Sequence, residues 1–361
     1  MGCQVLTVVG ARPQFIKAAV VSHELERRGI GEALVHTGQH YDYNMSETFF
    51  RELDIPEPKK NLGISGGSHG HMTARMLEAL EDTMVEEKPS CVLLYGDTNS
   101  TLAGALAAAK LHIPIVHVEA GTRTHNRNNP EEINRVCTDH VASRLLACTE
   151  ANLANLEREG LGELSSFSGD PMLEAFYGYR EQATEPNLVS IVDGNAVSVD
   201  AGNYYYLTCH REENTKDPAT LRGILSAMEA LDAPVVYPVH PRNKQSVREL
   251  IREDFQNVLA VEPVGYLESV WLTNNALQVV TDSGGLQREA FFAGVKCTTV
   301  LDFEVWPETM VANRNLLARA EKNAILSAMN SPQTVDATYQ PFGDGKASAH
   351  IADAIQVQLG V

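Results

Sequence analysis

The sequence predicts an α/β protein built from two doubly wound parallel sheets in tandem, and three observations carry that expectation. Short runs rich in Val, Ile and Leu recur without polar alternation, the pattern of strands covered on both faces. Each run is followed by a turn and then by apolar residues at helical spacing. At 361 residues the chain is too long for one core and comfortable for two.

The elements follow in order. Strand 5–9 ends at Gly10, and a helix opens at Pro13 and stops at Arg28-Gly29. Strand 33–36 comes next, then helices over 44–53 and 71–87, the second ending before Pro89. Strand 91–95 runs into Gly96-Asp97-Thr98, an alanine-rich helix covers 102–111, and the buried strand 113–118 ends at Glu119-Ala120-Gly121. Pro130 begins the helix 131–142, and strand 145–148 and helix 151–159 complete the first series. Gly169-Asp170-Pro171 marks a break, where helix 172–180 leads into a looser stretch over 184–202. The second series has strands 204–209, 235–239, 258–261 and 277–281 and helices 221–231, 246–251, 267–274 and 286–292, with a last amphipathic helix over 347–359. The expected division is an N-terminal Rossmann-like domain over 1–170, a second over 171–345, and a terminal helix in 346–361 packing back on the first. Sheets of this kind bind ligands at the carboxyl ends of their strands, and two in tandem place a cleft between them.

Composition removes several classes of function. At 43% apolar residues the chain is not disordered. Its 29 basic and 47 acidic residues give a net charge of −18, which repels phosphate backbones, and no basic stripe offsets it, so no nucleic-acid partner is expected. The six cysteines show no C-x-x-C and no paired spacing, as in a cytoplasmic protein with reduced thiols. The first residues lack the basic and apolar regions of a signal peptide, and no uncharged stretch approaches the length of a bilayer span.

Polar residues crowd the strand ends. Gly10-Ala11-Arg12-Pro13-Gln14 is a strand–turn–helix without the G-x-G-x-x-G spacing, so bound NAD is disfavoured and no cofactor is expected. Arg12 at a helix start and Lys17 about a turn further suit an anion, against the plainer reading of a surface arginine and a snorkelling lysine. Thr37-Gly38-Gln39-His40 follows the second strand, with His40 equally readable as structural. Asp97 is either the cap of the following helix or a carboxylate facing the ligand. Glu119 ends a buried strand, where a carboxylate is costly unless paired or used. Glu131 and Glu132 open a helix, where acids are ordinary dipole partners, and Arg135 stands at i+4 from Glu131, able to orient it. In the second half, His210-Arg211 and His240-Pro241-Arg242 end adjacent strands and point to an anionic ligand. Ser283-Gly284-Gly285 frees backbone N–H groups at a helix start for a diphosphate, with Glu289 placed to accept two ribose hydroxyls. The histidines lack ligand spacing and no carboxylate cluster shares a helix face, so no metal is expected.

Taken in order over nearly the whole chain, the motifs 10–17, 37–40, 96–98, 119–123, 130–135, 210–214 and 283–289 resemble the non-hydrolysing UDP-N-acetylglucosamine 2-epimerases, proteins of the glycosyltransferase-B fold. The resemblance implies catalytic roles for Asp97, Glu119, Glu131 and His210, and UDP and sugar contacts from Arg12, Lys17, Ser283, Gly284, Gly285 and Glu289. Gln39, Arg135, Arg211 and His240 complete the expected substrate-binding set. It implies a UDP-sugar as substrate and a homodimer. Gly66-Gly67-Ser68-His69-Gly70, the stretch from Gly96 to Lys110 and the short segment between Arg123 and Pro130 make the chain resemble more nearly the UDP-2,3-diacetamido-2,3-dideoxyglucuronate 2-epimerases. Leu301 stands where the family has an arginine, Glu304-Val305-Trp306-Pro307-Glu308 replaces a Thr-Glu-Arg-Pro-Glu run, and Ser269 replaces an aromatic residue that stacks on uracil. These changes bear on sugar recognition more than on the fold. Tyr41-Asp42 departs from the pattern of an allosteric activator site.

The chemistry agrees with that resemblance. The C2 proton of an N-acetylhexosamine is not adjacent to a carbonyl, so its removal needs either a nicotinamide oxidation nearby or departure of UDP from C1. Without a nicotinamide fingerprint the second route fits, giving reversible conversion of UDP-N-acetylglucosamine to UDP-N-acetylmannosamine through a 2-acetamidoglucal. It calls for donors on the diphosphate and acids on both ring faces. The alternatives are the same reaction on the diacetamido uronate, a hydrolysing epimerase, a UDP-sugar glycosyltransferase of the same fold, and a UDP-sugar-binding regulator without catalysis.

Overall fold

The computed structural model describes residues 4–39, 50–336 and 338–361, and its chain divides into two compact units, Met1–Tyr177 with Gln340–Val361, and Gly178–Tyr339. His40, Tyr41 and Asp42 lie outside the described residues, as does most of the helix expected over 44–53, of which 50–52 are helical.

In unit 1 the apolar runs become strands β1 (Val5–Val9), β2 (Glu32–His36), β4 (Cys91–Tyr95), β5 (Ile115–Val118) and β6 (Arg144–Ala147), with β3 (Lys60–Asn61) and β7 (Ser165–Phe167) at the edges. The sheet has the order β3-β2-β1-β4-β5-β6-β7 and every pairing is parallel. Helices α1 (Arg12–Arg27), α2 (His69–Glu87), α3 (Asn99–Lys110), α4 (Pro130–Val141) and α5 (Glu150–Arg158) connect the strands. Leu6, Val8, Val92 and Leu94 are wholly buried against Met76, Leu80, Ala103 and Ala107 of α2 and α3. Each such aliphatic side chain removed from water stabilises by ~1.5–3 kcal/mol. Helix starts follow their local chemistry: Thr98 caps α3 through its hydroxyl, and Asn129 caps α4 ahead of Pro130. The cap at Thr98 is why α3 begins at Asn99 and not near 102 as the apolar spacing suggests.

Helix α6 (Pro171–Arg180) carries the boundary between the units. In unit 2 the loose stretch holds a small antiparallel pair, β8 (Leu188–Val189) with β9 (Ala196–Val197). The main sheet uses β10 (Tyr205–Thr208), β11 (Val235–Pro238), β12 (Val258–Val261), β13 (Val279–Thr281), β14 (Cys297–Thr299) and β15 (Asn315–Leu317) in the order β12-β11-β10-β13-β14-β15, all parallel. Between and after them lie α7 (Glu212–Thr215), α8 (Pro218–Glu229), α9 (Lys244–Asp254), α10 (Tyr266–Asn275), α11 (Gly284–Ala293) and α12 (Lys322–Asn330). Both sheets have the doubly wound order, reversing direction between β1 and β4 in one and between β10 and β13 in the other.

Helix α13 (Ala347–Leu359) belongs to unit 1 and packs along α1. Arg28 of α1's C-cap donates to Asp353 Oδ1 at 2.5 Å, Gln356 Oε1 at 2.6 Å and Ala349 O at 3.1 Å. The carboxylate of Glu174 accepts from Ser348 N at 2.7 Å and Ser348 Oγ at 2.5 Å, satisfying the start of the helix. No helix among the described residues is long and apolar enough to cross a membrane.

Candidate active site

In unit 1 the polar strand ends gather where the strand order reverses. Gly10 and Ala11 donate their N–H groups to Gln14 Oε1 at 2.8 and 3.1 Å, and Gln14 Nε2 donates to Tyr95 O at 2.8 Å and Thr101 Oγ1 at 3.0 Å. This buried amide fastens the end of β1 to the end of β4. Sequence reasoning passed over it, although Ala11 cannot cap a helix with its own side chain and a glutamine three residues on can reach back. Gln39 also turns inward, its Oε1 accepting from Ser100 N at 3.1 Å and Ser100 Oγ at 2.8 Å. Arg12 is the first residue of α1 and is half-buried.

Lys17 and Glu119 form a buried ion pair, their side chains 3% and 8% exposed. The lysine expected to face a ligand anion thus lies against a carboxylate. Glu119 sits directly after β5 with φ at +71°, a left-handed conformation that costs a non-glycine residue ~1–2 kcal/mol. Its N–H donates to Leu146 O at 3.0 Å, which holds the chain there.

Asp97 follows β4 and is not a helix cap, since Thr98 fills that place. Its Oδ2 accepts from Arg135 through Nε at 3.1 Å and through Nη2. Burial alone would raise the Asp97 pKa, but the Arg135 guanidinium, with Lys17 and His117 adding to it, holds the carboxyl below its usual range. Arg135 also donates through Nη1 to Glu132 Oε2 at 2.7 Å. The expected i+4 partnership of Arg135 with Glu131 is therefore corrected. Arg135 is 4% exposed and turns inward from α4 to the end of β4, away from the helix surface. Glu132 accepts from Thr124 N at 2.9 Å and His125 N at 2.8 Å and fixes the loop before α4. Glu131 is half-buried at the start of α4, and among the described residues its carboxylate has no partner. Asn134 donates to Asp97 O at 2.9 Å and to Asn99 Oδ1 at 3.2 Å, and Asn99 in turn donates to His69 Nδ1 at 3.1 Å.

Unit 2 is organised around Asp282, which follows β13 and is fully buried. Its Oδ2 accepts from His210 N at 2.9 Å, Arg211 N at 2.8 Å and Asn214 Nδ2 at 3.2 Å, and its Oδ1 lies 3.1 Å from His210 Nδ1. Burial opposes ionisation, but His210 and the two backbone N–H groups outweigh it and bring Asp282 down to about 2. Asp282 was absent from the expected site. Its signal was the same as that of Glu119, a carboxylate at the end of a buried strand. The His210 ring is 41% exposed and stacks on His240 at 6.3 Å between centroids. The Arg211 guanidinium donates to Asp282 O at 2.9 Å and lies over the Phe303 ring. Ser283 caps α11, its Oγ accepting from Leu286 N at 3.4 Å. The N–H groups of Gly284 and Gly285 open the same helix without an acceptor among the described residues. Glu289 lies in α11 and is 5% exposed. Trp306, in the replaced run, is buried beneath the Arg288 guanidinium at 4.1 Å from the ring centre, and Ser269 Oγ lies 2.9 Å from the Tyr206 hydroxyl.

Two doubly wound sheets, one bearing acids at its strand ends and the other a histidine and a free helix start, define an enzyme of the glycosyltransferase-B fold class. The chain belongs to the UDP-N-acetylglucosamine 2-epimerase family, whose model matches residues 23–356. A UDP-2,3-diacetamido-2,3-dideoxy-D-glucuronate 2-epimerase of Pseudomonas aeruginosa is 44% identical over 359 residues, 97% of this chain and 98% of its own. The crystal structure of Methanocaldococcus jannaschii UDP-GlcNAc 2-epimerase in complex with UDP-GlcNAc and UDP aligns with a TM-score of 0.88 at 36% identity, covering 98% of this chain and 99% of that one. The calicheamicin glycosyltransferase CalG4 aligns with a TM-score of 0.53 at 16% identity over 100% of this chain and 99% of its own, a likeness of fold alone.

Proposed function

We propose that this isomerase interconverts two UDP-2-acetamido sugars that differ in configuration at C2, with UDP-N-acetylglucosamine and UDP-N-acetylmannosamine as the parent pair. One observation carries the reading: Asp97 and Glu119 stand at the ends of neighbouring strands, each against its own cation. Carboxylates kept charged in this way suit proton transfer at a carbon that is only briefly acidic.

A carboxylate takes the C2 proton as the C1–O bond breaks. The electron pair becomes the C1=C2 double bond and UDP leaves with the electrons of the broken bond. Protonation of C2 on the opposite face and return of a phosphate oxygen to C1 give the epimer. Asp97 is the first candidate for the base, since Arg135 keeps it ionised and so able to accept a proton. Glu119 and Glu131 are the candidates for the second acid. The exposed His210 ring, Arg12 and the N–H groups of Gly284 and Gly285 would receive charge on the departing diphosphate. Glu289 would accept the ribose hydroxyls, with Lys17, Gln39, Arg211, His240 and Ser283 completing the substrate contacts. A homodimer in the cytoplasm is part of the same proposal, to be checked by the mass in solution.

The test is turnover in deuterium oxide. Label should enter C2 of both epimers, and product without label ends the proposal. The 44% identical relative favours a second reading, in which the sugar also carries a 3-acetamido group and a C6 carboxylate. Side-by-side turnover of UDP-N-acetylglucosamine and the diacetamido uronate decides between them.

A further inference from the structure

Behind the acids of unit 1 lies a group of charges that the proposed reaction leaves unused. His117, on β5, is wholly buried, with Nδ1 2.7 Å from Asp139 Oδ1 and Nε2 2.7 Å from Gly96 O. A backbone carbonyl has no hydrogen to give, and neither has an ionised carboxylate. A ring with a single N–H would therefore set two acceptors against each other at one of these contacts. Burial opposes ionisation of Asp139, but His117 and Arg123 hold its carboxyl below the usual range. Its Oδ2 accepts from Gly121 N at 3.1 Å and lies 2.8 Å from Arg123 Nη2, and Arg123 forks onto Glu159 at 2.7 Å through both Nε and Nη2. His117 and Arg123 thus stand among two carboxylates, Asp139 and Glu159.

We infer that His117 is a positioning residue that donates from both ring nitrogens, clamping the Gly96–Asp97 turn to the Glu119–Gly121 turn. The inference rests on the proposed roles of Asp97 and Glu119. Both turns use left-handed backbone, unstrained at the glycines and costly only at Glu119. Gly96 has φ at +60°, Glu119 at +71° and Gly121 at +81°, and a Cβ on Gly121 would stand 2.3 Å from Asn152 O. Through Nε2 the ring reaches the residue before Asp97. Through Nδ1 and Asp139 it reaches the N–H two residues after Glu119. One imidazole thereby fixes the spacing of both carboxylates, and its positive charge adds to the field that keeps Asp97 ionised.

The test compares His117→Gln alone with the double variant His117→Gln/Asp139→Asn. Glutamine can donate to Gly96 O, but its amide oxygen then faces Asp139, acceptor against acceptor. Asparagine at 139 puts a donor there, leaves an oxygen for Gly121 N and Arg123, and restores charge balance. The single variant should lose ~100-fold in kcat with KM changed less than ~3-fold, because the groups that bind the nucleotide are untouched. The double variant should regain ~10-fold or more of that loss. Single-variant kcat equal to wild type, or a double variant no better than the single, overturns the inference. Nitrogen-15 NMR of wild-type protein with labelled histidine gives a readout apart from activity: both His117 nitrogens should carry hydrogen, and the pattern of a neutral ring overturns the inference even where a variant fails to fold. Wild-type enzyme that exchanges no C2 hydrogen would instead overturn the proposed reaction.

Discussion

The strand ends of the two units are mirror images in charge. In unit 1 Asp97 stands forward of Arg135, their side chains 27% and 4% exposed, while Glu119 and Lys17 are buried together. In unit 2 the acid is behind. Asp282 is buried and gathers the N–H groups of His210 and Arg211, leaving the His210 ring partly exposed and the start of α11 open. The same sheet order therefore brings cation-paired carboxylates to the strand ends of one unit and hydrogen-bond donors to those of the other. The lesson is that a doubly wound sheet fixes where chemistry happens, and the side chain placed one layer down fixes its sign.

The largest way to break this contrast is to neutralise an acid that stands forward. Asp97→Asn should lower kcat by ~10³-fold or more while calorimetry finds UDP affinity within ~3-fold of wild type. Retained turnover would reduce Asp97 to a partner of Arg135. Arg135→Met should move the acid limb of the kcat/KM profile to higher pH, since the guanidinium is what lowers the Asp97 pKa. An unmoved limb would assign that limb to another group.

Removing the acid that stands behind should act on stability first. Asp282→Ala leaves two part-buried backbone N–H groups and the buried Asn214 amide without their acceptor, and denaturant unfolding should show a loss of ~3 kcal/mol. The linked pH effect is smaller. Asp282 lies at about 2 in the folded chain against an ordinary 3.8, so its contribution is complete above the ordinary value and disappears as pH falls from there through about 2. Acid unfolding should reveal ~2 kcal/mol from this group, absent in Asp282→Asn. Smallest is Ser283→Ala, which removes the cap of α11. It should cost ~1 kcal/mol and weaken UDP binding a few-fold, and a variant as stable as wild type would show that the cap is not used.

Much of this scaffold is legible in the amino-acid order. Runs such as 5–9, 91–95 and 258–261 have no polar alternation and are too short for helices, so they read as strands covered on both faces. In the two main sheets the strands that went unread are short, at two or three residues: Lys60–Asn61, Ser165–Phe167, Cys297–Thr299 and Asn315–Leu317. All four lie at a sheet edge or next to one, where strand length and apolarity fall off, and no pattern of that size separates them from loop. Helix α12 was also missed. In the site, residue types announced Asp97, Glu119 and His210, because polar side chains at the ends of buried strands are conspicuous. Their partners were less visible. Arg135 satisfies i+3 and i+4 spacing with two acids on its own helix, and only its burial decides for Glu132 and, across the sheet end, Asp97. Asp282 and His210 are separated by 72 residues, a distance over which sequence carries no pairing signal.

The return of α13 to α1 reverses the order of completion of this polypeptide as it is made. Every residue of unit 2 has been synthesised before Arg28 can meet Asp353 and Gln356. A nascent chain stopped at residue 339 holds all of the second sheet, yet lacks the helix that covers α1. Apolar surface belonging to the earlier part stays open to solvent or chaperones until translation is nearly finished.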